Sequence, residues 1–294
     1  MALGRPLAVN LWTVYGWRPS SFGLHEDVLS RLAASGATAV ELIVDEEWHT
    51  FERTLAAKAD LVPALEEQGL AVSGVACRHF FAHNPASVSA EVRGRALRAM
   101  RGACRVAREY GADAVVVIPG LQEQNVAYDA SYDAAVQTLA HAARYADDDG
   151  VTLVVENVAV DFLQSPREFR QLLDDVASPA VRACLDLGNV LAANGRFPEN
   201  WIRELSARIG LVHAKDYARG EGMRACGQGE VDWETCFAAL DEVQYEGPLV
   251  VETPPNEGED VLLEDGLTAA DVSVRYLVGV AGRPTDRHGT GVTP

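Results

Sequence analysis

Four short stretches decide the fold: "LVVEN" (153–157), "CLDLGN" (184–189), "LVHAKD" (211–216) and "LVVET" (249–253). Each begins as an apolar run of the kind a buried β-strand makes. Each then meets an ionisable side chain: Glu156, Asp186, His213 or Glu252. A charge at the end of a buried strand needs a partner or a purpose.

Working outward, further apolar runs lie at 7–14, 37–44, 70–77 and 112–119, and the four stretches themselves belong to runs at 151–158, 181–188, 209–216 and 248–254. Most of these runs are apolar on both faces, as strands covered on both sides must be. Amphipathic segments rich in Ala, Arg, Glu and Leu alternate with them. Several segments stop at a glycine just before the next strand, in "ASGAT", "EQGLA", "EYGAD" and "DDGVT". Glycine there supplies a left-handed helix cap at little steric cost. Ser165 before Pro166 reads as a helix N-cap followed by proline at the first helical position.

Eight strand–helix units fit an α/β fold, a (β/α)8 TIM barrel of about 250 residues. An open doubly wound sheet would need a Gly-rich phosphate turn early in the chain, and "NLWTVYGW" is not one. The expected layout is a single barrel domain over 1–282, with a flexible C-terminal tail at 283–294 rich in Gly, Thr and Pro.

The bulk numbers narrow the function. With 25 Lys and Arg against 43 Asp and Glu, the formal charge is −18. That field repels polyanions, which argues against nucleic acid or an anionic membrane as partner. Five scattered cysteines without CxxC spacing read as reduced, buried thiols. The N-terminal stretch meets Trp and Tyr too early for a signal peptide, and no apolar run is long enough to span a bilayer. The expectation is a soluble cytoplasmic protein.

In a TIM barrel the active site forms at the C-terminal strand ends. A lone acid there is ordinarily a loop cap, but four consecutive strands delivering Glu156, Asp186, His213 and Glu252 to one place is another matter. Three clustered carboxylates repel, and a divalent cation resolves that repulsion. Three oxygens and one nitrogen suit Mn²⁺, Mg²⁺, Co²⁺ or Zn²⁺, with Mn²⁺ as the first expectation.

The motifs "VVEN", "LDLGN", "VHAKD" and "VVET" resemble the sugar phosphate isomerase/epimerase-like superfamily, the xylose isomerase-like TIM barrels. Among its branches, the nearest are the ketose 3-epimerases, inosose dehydratases and hydroxypyruvate isomerases. The resemblance implies one metal ion on Glu156, Asp186, His213 and Glu252, with Glu156 and Glu252 as the catalytic acid and base. It implies a small-molecule sugar or polyol as substrate and leaves a homo-oligomer open. The reaction implied is isomerisation or epimerisation of a keto-sugar through proton abstraction beside a carbonyl. A dehydratase acting on a keto-inositol or keto-acid is the alternative. An endonuclease IV-like DNA repair enzyme, also in the superfamily, is set aside on charge.

Substrate contacts are read at Arg219, Lys215, Asn189, His79 and Trp17. Arg219 lies six residues after His213, matching a substrate-contacting arginine of the epimerases; a solvated loop arginine is the plainer alternative. Lys215 could hold a carboxylate or oxyanion, or simply pair with Asp216. Two positions depart from the epimerase pattern: Phe162 stands where those enzymes carry a glutamate, and Asn189 where they carry a histidine. His79 in "CRHFFAHN" is a candidate base or contact, while His49 and His83 carry no assignment. Asp45, Glu46 and Glu47 read as a solvated acidic loop, and Asp232 as a helix N-cap.

Overall fold

The structure, a computed structural model, describes residues 5–15, 26–194, 196–253 and 263–281. Among the described residues, seven strands run in order from the N-terminus: β1 (Leu7–Asn10), β2 (Ala39–Val44), β3 (Ala71–Cys77), β4 (Ala114–Val117), β5 (Thr152–Glu156), β6 (Val181–Asp186) and β7 (Ile209–Ala214). A two-stranded hairpin follows, β8 (Asp216–Ala218) with β9 (Gly222–Arg224), and then β10 (Leu249–Val251). The seven and β10 close a barrel in the order β1-β10-β7-β6-β5-β4-β3-β2, every pair parallel. This is the expected TIM barrel. The tail at 283–294 lies outside the described residues.

Helices α2 (Glu26–Ser35), α3 (Phe51–Glu67), α4 (Ala90–Tyr110), α5 (Tyr128–Asp149), α6 (Pro166–Val176), α8 (Pro198–Leu205), α9 (Trp233–Glu242) and α10 (Leu263–Ala281) are joined by two short ones. These are α1 (Leu11–Tyr15) and α7 (Leu187–Asn194), each beginning directly after a strand. The first strand is therefore shorter than the apolar run 7–14 suggests. Asn10 explains the stop, because its Oδ1 accepts from the Trp12 N–H at 2.8 Å and starts α1. The caps fall where sequence places them. Ser165 accepts from the Glu168 N–H and Asp232 from the Thr235 N–H. Gly36, Gly69, Gly111 and Gly150 all take positive φ.

Strand side chains alternate between two cores. One faces the helices and contains Leu153, Val155, Leu185, Val212 and Val251. The other is a narrow plug of Ala8, Ala39, Ala76, Ala114, Val116, Val154, Cys184, Leu211 and Val250. Four of the nine are alanines, because eight strands converge on little space. All five cysteines are free and buried. No helix among the described residues is long and apolar enough to cross a membrane.

The β2–α3 loop corrects one expectation, since Asp45 is not a solvated acid. Its Oδ1 accepts from the N–H groups of Glu47, Trp48 and His49, and its Oδ2 lies 2.8 Å from His49 Nδ1. Burial opposes its charge, but His49 and these amides hold the carboxyl well below its usual range. A depressed folded pKa means stability present above about pH 4 and lost as pH falls. Asp45→Asn should therefore cost about 1 kcal/mol in urea unfolding at pH 7. The gap should shrink below about pH 4, and a gap constant with pH would refute the charge-based account.

Candidate active site

Period-two alternation builds the site directly from the inner core. Val154, Cys184, Leu211 and Val250 fill the barrel, and two residues beyond each come Glu156, Asp186, His213 and Glu252. All four are buried, and one ligand atom from each lies within 4.8 Å of the others. Sequence reading and structure thus bring the same quartet together at the C-terminal mouth of the barrel.

His213 is the centre of the geometry. Its ring is fully buried, with Nε2 at 3.1 Å from Glu41 Oε2. Its Nδ1 has no hydrogen-bond partner. That nitrogen faces Glu252 at 3.5 Å, Glu156 at 3.7 Å and Asp186 at 3.9 Å. These separations suit ligands of one ion rather than hydrogen-bond partners. A carboxylate holding the far nitrogen of a histidine fixes the tautomer and leaves the near lone pair for a metal. The residues present therefore fit a divalent cation.

The supporting contacts come from the motif residues that follow each acid. Asn157 and Asp186 exchange hydrogen bonds across the ends of β5 and β6: the Asp186 N–H donates to Asn157 Oδ1 at 2.7 Å, and Asn157 Nδ2 donates to the Asp186 carbonyl at 3.0 Å. Asn189 donates from Nδ2 to Glu156 Oε1 at 3.0 Å, while its N–H donates to Asp186 Oδ1 at 2.8 Å. Lys215 points inward, not at Asp216. Its Nζ stands 2.7 Å from Asp186 Oδ2 and 2.8 Å from Glu252 Oε2. Gly188 makes this fit, since a Cβ there would come within 2.6 Å of Lys215 Cγ. Asp216 instead holds the loop before α9, accepting from the N–H groups of Gly227 and Val231 and from Trp233 Nε1.

Burial and charge pull the titrations apart. Burial pushes the Asp186 carboxyl up to about 7, against the opposing pull of Lys215. Burial also opposes the Glu252 carboxylate, but Lys215 and His213 outweigh it and hold its pKa well down. The Lys215 ammonium is raised by Asp186, Glu252 and Glu156 despite burial. For His213, burial disfavours the charge, while the Glu252 and Glu41 carboxylates lift the pKa well above its ordinary value.

In the metal-free protein Asp186 and His213 therefore hold protons near neutrality, and a metal has to displace them. Metal affinity should fall by about tenfold for each displaced proton with every unit that pH drops below 7. Competition against a chromogenic chelator between pH 6 and 8.5 reads this directly. An affinity independent of pH would remove Asp186 and His213 from the ligand set.

Above the quartet opens a cavity of about 310 Å³. Glu156, Glu252, Asn189 and Lys215 form its polar floor, and Trp12, Ile43, Val116, Ile118, Val160 and Met223 form its apolar walls. Three residues here are missing from the sequence reading. Arg78 lines the cavity, its guanidinium 3.7 Å from the centroid of the Trp12 ring. Asn10 lines it too, donating to Glu41 at 2.6 Å. Glu41, wholly buried in mid-strand, is the third.

Other expected contacts lie elsewhere. Arg219 is exposed in the turn between β8 and β9 and is not among the lining residues. Its backbone N–H donates to Glu230 Oε1, which makes Glu230 a loop clamp. His79 also lies off the cavity, stacked on Phe51. Phe162, at the position of the missing epimerase glutamate, is buried against Tyr128. Trp17 lies outside the described residues.

The sequence profile of the xylose isomerase-like TIM barrel family matches residues 29–271. This chain belongs to that family. As a xylose isomerase-like barrel it is similar to the L-ribulose-5-phosphate 3-epimerase UlaE of Escherichia coli O157:H7, with 27% identity over 247 residues. That match spans 78% of this chain and 82% of the relative. The L-ribulose 3-epimerase of Methylomonas sp. is 30% identical over 137 residues, 45% of this chain and 46% of its own. Among solved structures, an L-ribulose 3-epimerase superposes with a TM-score of 0.75 at 19% identity, covering 94% of both chains. The D-psicose 3-epimerase of Clostridium cellulolyticum H10, solved with D-tagatose, gives 0.77 at 14% identity, covering 94% of this chain and 99% of its own. At that identity the structural likeness speaks to the fold of this xylose isomerase-like barrel.

Proposed function

We propose that this protein is a divalent-metal-dependent epimerase or isomerase of a small keto-sugar or related polyol, acting on the carbon next to the carbonyl. The observation that carries the reading is His213, whose Nε2 is held by Glu41 while its unpartnered Nδ1 faces three carboxylates. The names of the curated relatives, ribulose and ribulose-5-phosphate 3-epimerases, supply the substrate class. Glu156, Asp186, His213 and Glu252 would hold one ion, Mn²⁺ first, with Mg²⁺, Co²⁺ or Zn²⁺ as alternatives. Such an ion supplies Lewis acidity to adjacent carbonyl and hydroxyl oxygens of the substrate.

The chain's own residues do the rest. Lys215 keeps Glu252 ionised and so free to accept the proton from the substrate carbon, although the same contact lowers its basicity. Glu156, on a strand separated from β10 by β6 and β7, would return a proton from the other side. Asn189 fixes Glu156 in that position. The cavity's size, near the lower end of ligand pockets, suits a monosaccharide and not a polymer. Its apolar walls would cover the C–H face of a sugar and keep water from the carbanion.

One observation favours a second reading, dehydration. Lys215 brings an ammonium beside Glu252 on the cavity floor, where it could assist departure of a β-hydroxyl. Incubation with Mn²⁺ in deuterated water against ketoses, keto-inositols and hydroxypyruvate separates the two. Deuterium entering one carbon at unchanged skeleton supports the epimerase or isomerase, and loss of water supports the lyase. No metal-dependent exchange with any of them would end the substrate class proposed here.

A further inference from the structure

A second cluster of metal-ligating side chains lies off the catalytic quartet. Glu46, from the β2–α3 loop, meets His79 and His83, from the segment after β3. Glu46 Oε1 stands 2.5 Å from His83 Nε2 and 3.7 Å from His79 Nδ1. All three donor atoms fall within 4.8 Å of one another. Two ligands bound at about 2.1 Å to one tetrahedral ion sit about 3.4 Å apart, so the cluster needs only a small adjustment to accept one. Glu46 can make it, because its side chain is 47% exposed while those of His79 and His83 are 9% and 18%.

An ordinary ion pair explains the cluster less well. The 3.7 Å gap leaves His79 Nδ1 beyond hydrogen-bond reach of the carboxylate. The ring is also pre-set. It stacks on Phe51 at 4.8 Å and 8° between planes, and Gly102 of α4 makes room, since a Cβ there would come within 2.6 Å of the Phe51 ring.

We propose that Glu46, His79 and His83 form a second divalent-metal site, separate from the quartet, which clips the β2–α3 loop to the segment after β3. Two imidazoles and one carboxylate with open positions suit Zn²⁺, Co²⁺, Ni²⁺ or Fe²⁺ better than Mg²⁺ or Ca²⁺. The clip would tie down the chain next to Arg78, which lines the cavity.

The test is metal content per chain after loading with Zn²⁺ or Co²⁺ and removal of excess, with circular dichroism confirming folding. Asp186→Asn should retain one equivalent, and Asp186→Asn/His83→Gln should retain none. Glu46→Gln, at a half-exposed position, gives a second variant with little risk to folding and should lose the same equivalent. Zn²⁺ should raise the Tm of Asp186→Asn but not that of the double variant. The difference of one equivalent between these two variants holds whether or not the quartet fills. Metal content unchanged by Glu46→Gln and His83→Gln would overturn the site.

Discussion

Glu252→Gln should cut conversion of substrate by about 10²- to 10⁴-fold, the usual worth of a positioned general base. Glutamine keeps the volume and can still accept one bond from Lys215 Nζ, now 2.8 Å from Glu252 Oε2. It cannot take a proton. Glu156→Gln should lose a similar factor for the matching reason on the opposite face. If the two carboxylates act as a pair, each variant keeps one working base. Solvent deuterium should then still wash into one epimer but not the other, and the exchanging epimer should switch between the two variants. Because both residues also belong to the proposed ligand set, metal content has to be measured alongside. Variants that hold metal, lose conversion and exchange opposite epimers support two-base chemistry. Equal residual exchange into both epimers in either variant would show that a single group moves the proton.

The quartet was legible because inward-facing positions recur every second residue and each ligand follows a buried apolar partner by two. Val154 announces Glu156, and Val250 announces Glu252. The same rule applied to β3 carries Ala76 inward to Arg78, whereas position after the strand alone picks out His79. Position after a strand is a weaker guide than parity along it. Arg219 was placed by counting from His213, but the β8–β9 hairpin turns that count out to solvent. No local signal in "DYARGEGMR" competes with the longer strand patterns, so the hairpin itself stayed hidden. Glu46 and His83 were invisible for another reason: residues from separate loops meet only once the barrel has closed. Glu41 carries a signal of its own, an acid in the middle of the apolar run "AVELIV". A fully buried carboxylate with no nearby sequence partner has to answer to something across the barrel.

What Glu41 answers to yields the second large effect. It sits where the β2–β3 register shifts, opposite Gly74, whose absent Cβ would come within 3.1 Å of Glu41 Oε1. Two residues beyond Ala39 of the inner core, Glu41 points to the centre of the barrel by alternation, and the shift, which leaves Ser73 of β3 unmatched, brings the side-chain-free Gly74 opposite it. There Glu41 accepts from Asn10 and contacts His213 Nε2, so it orients the imidazole without facing the ion. Glu41→Gln keeps an acceptor but removes the charge, and should weaken metal binding about 10-fold. Glu41→Ala leaves the His213 N–H unmatched and Asn10 Nδ2 with only its 3.5 Å contact to Glu252 Oε1, and should weaken it about 100-fold. Breaking the buried His213 contact should also cost the metal-free Ala variant about 3–5 kcal/mol in urea unfolding. At saturating metal, Glu41→Gln should recover most of the wild-type kcat, because the residue touches no substrate. A kcat that stays low at saturation would make Glu41 part of the chemistry, and an unchanged metal affinity would remove His213 Nδ1 from the ligand set.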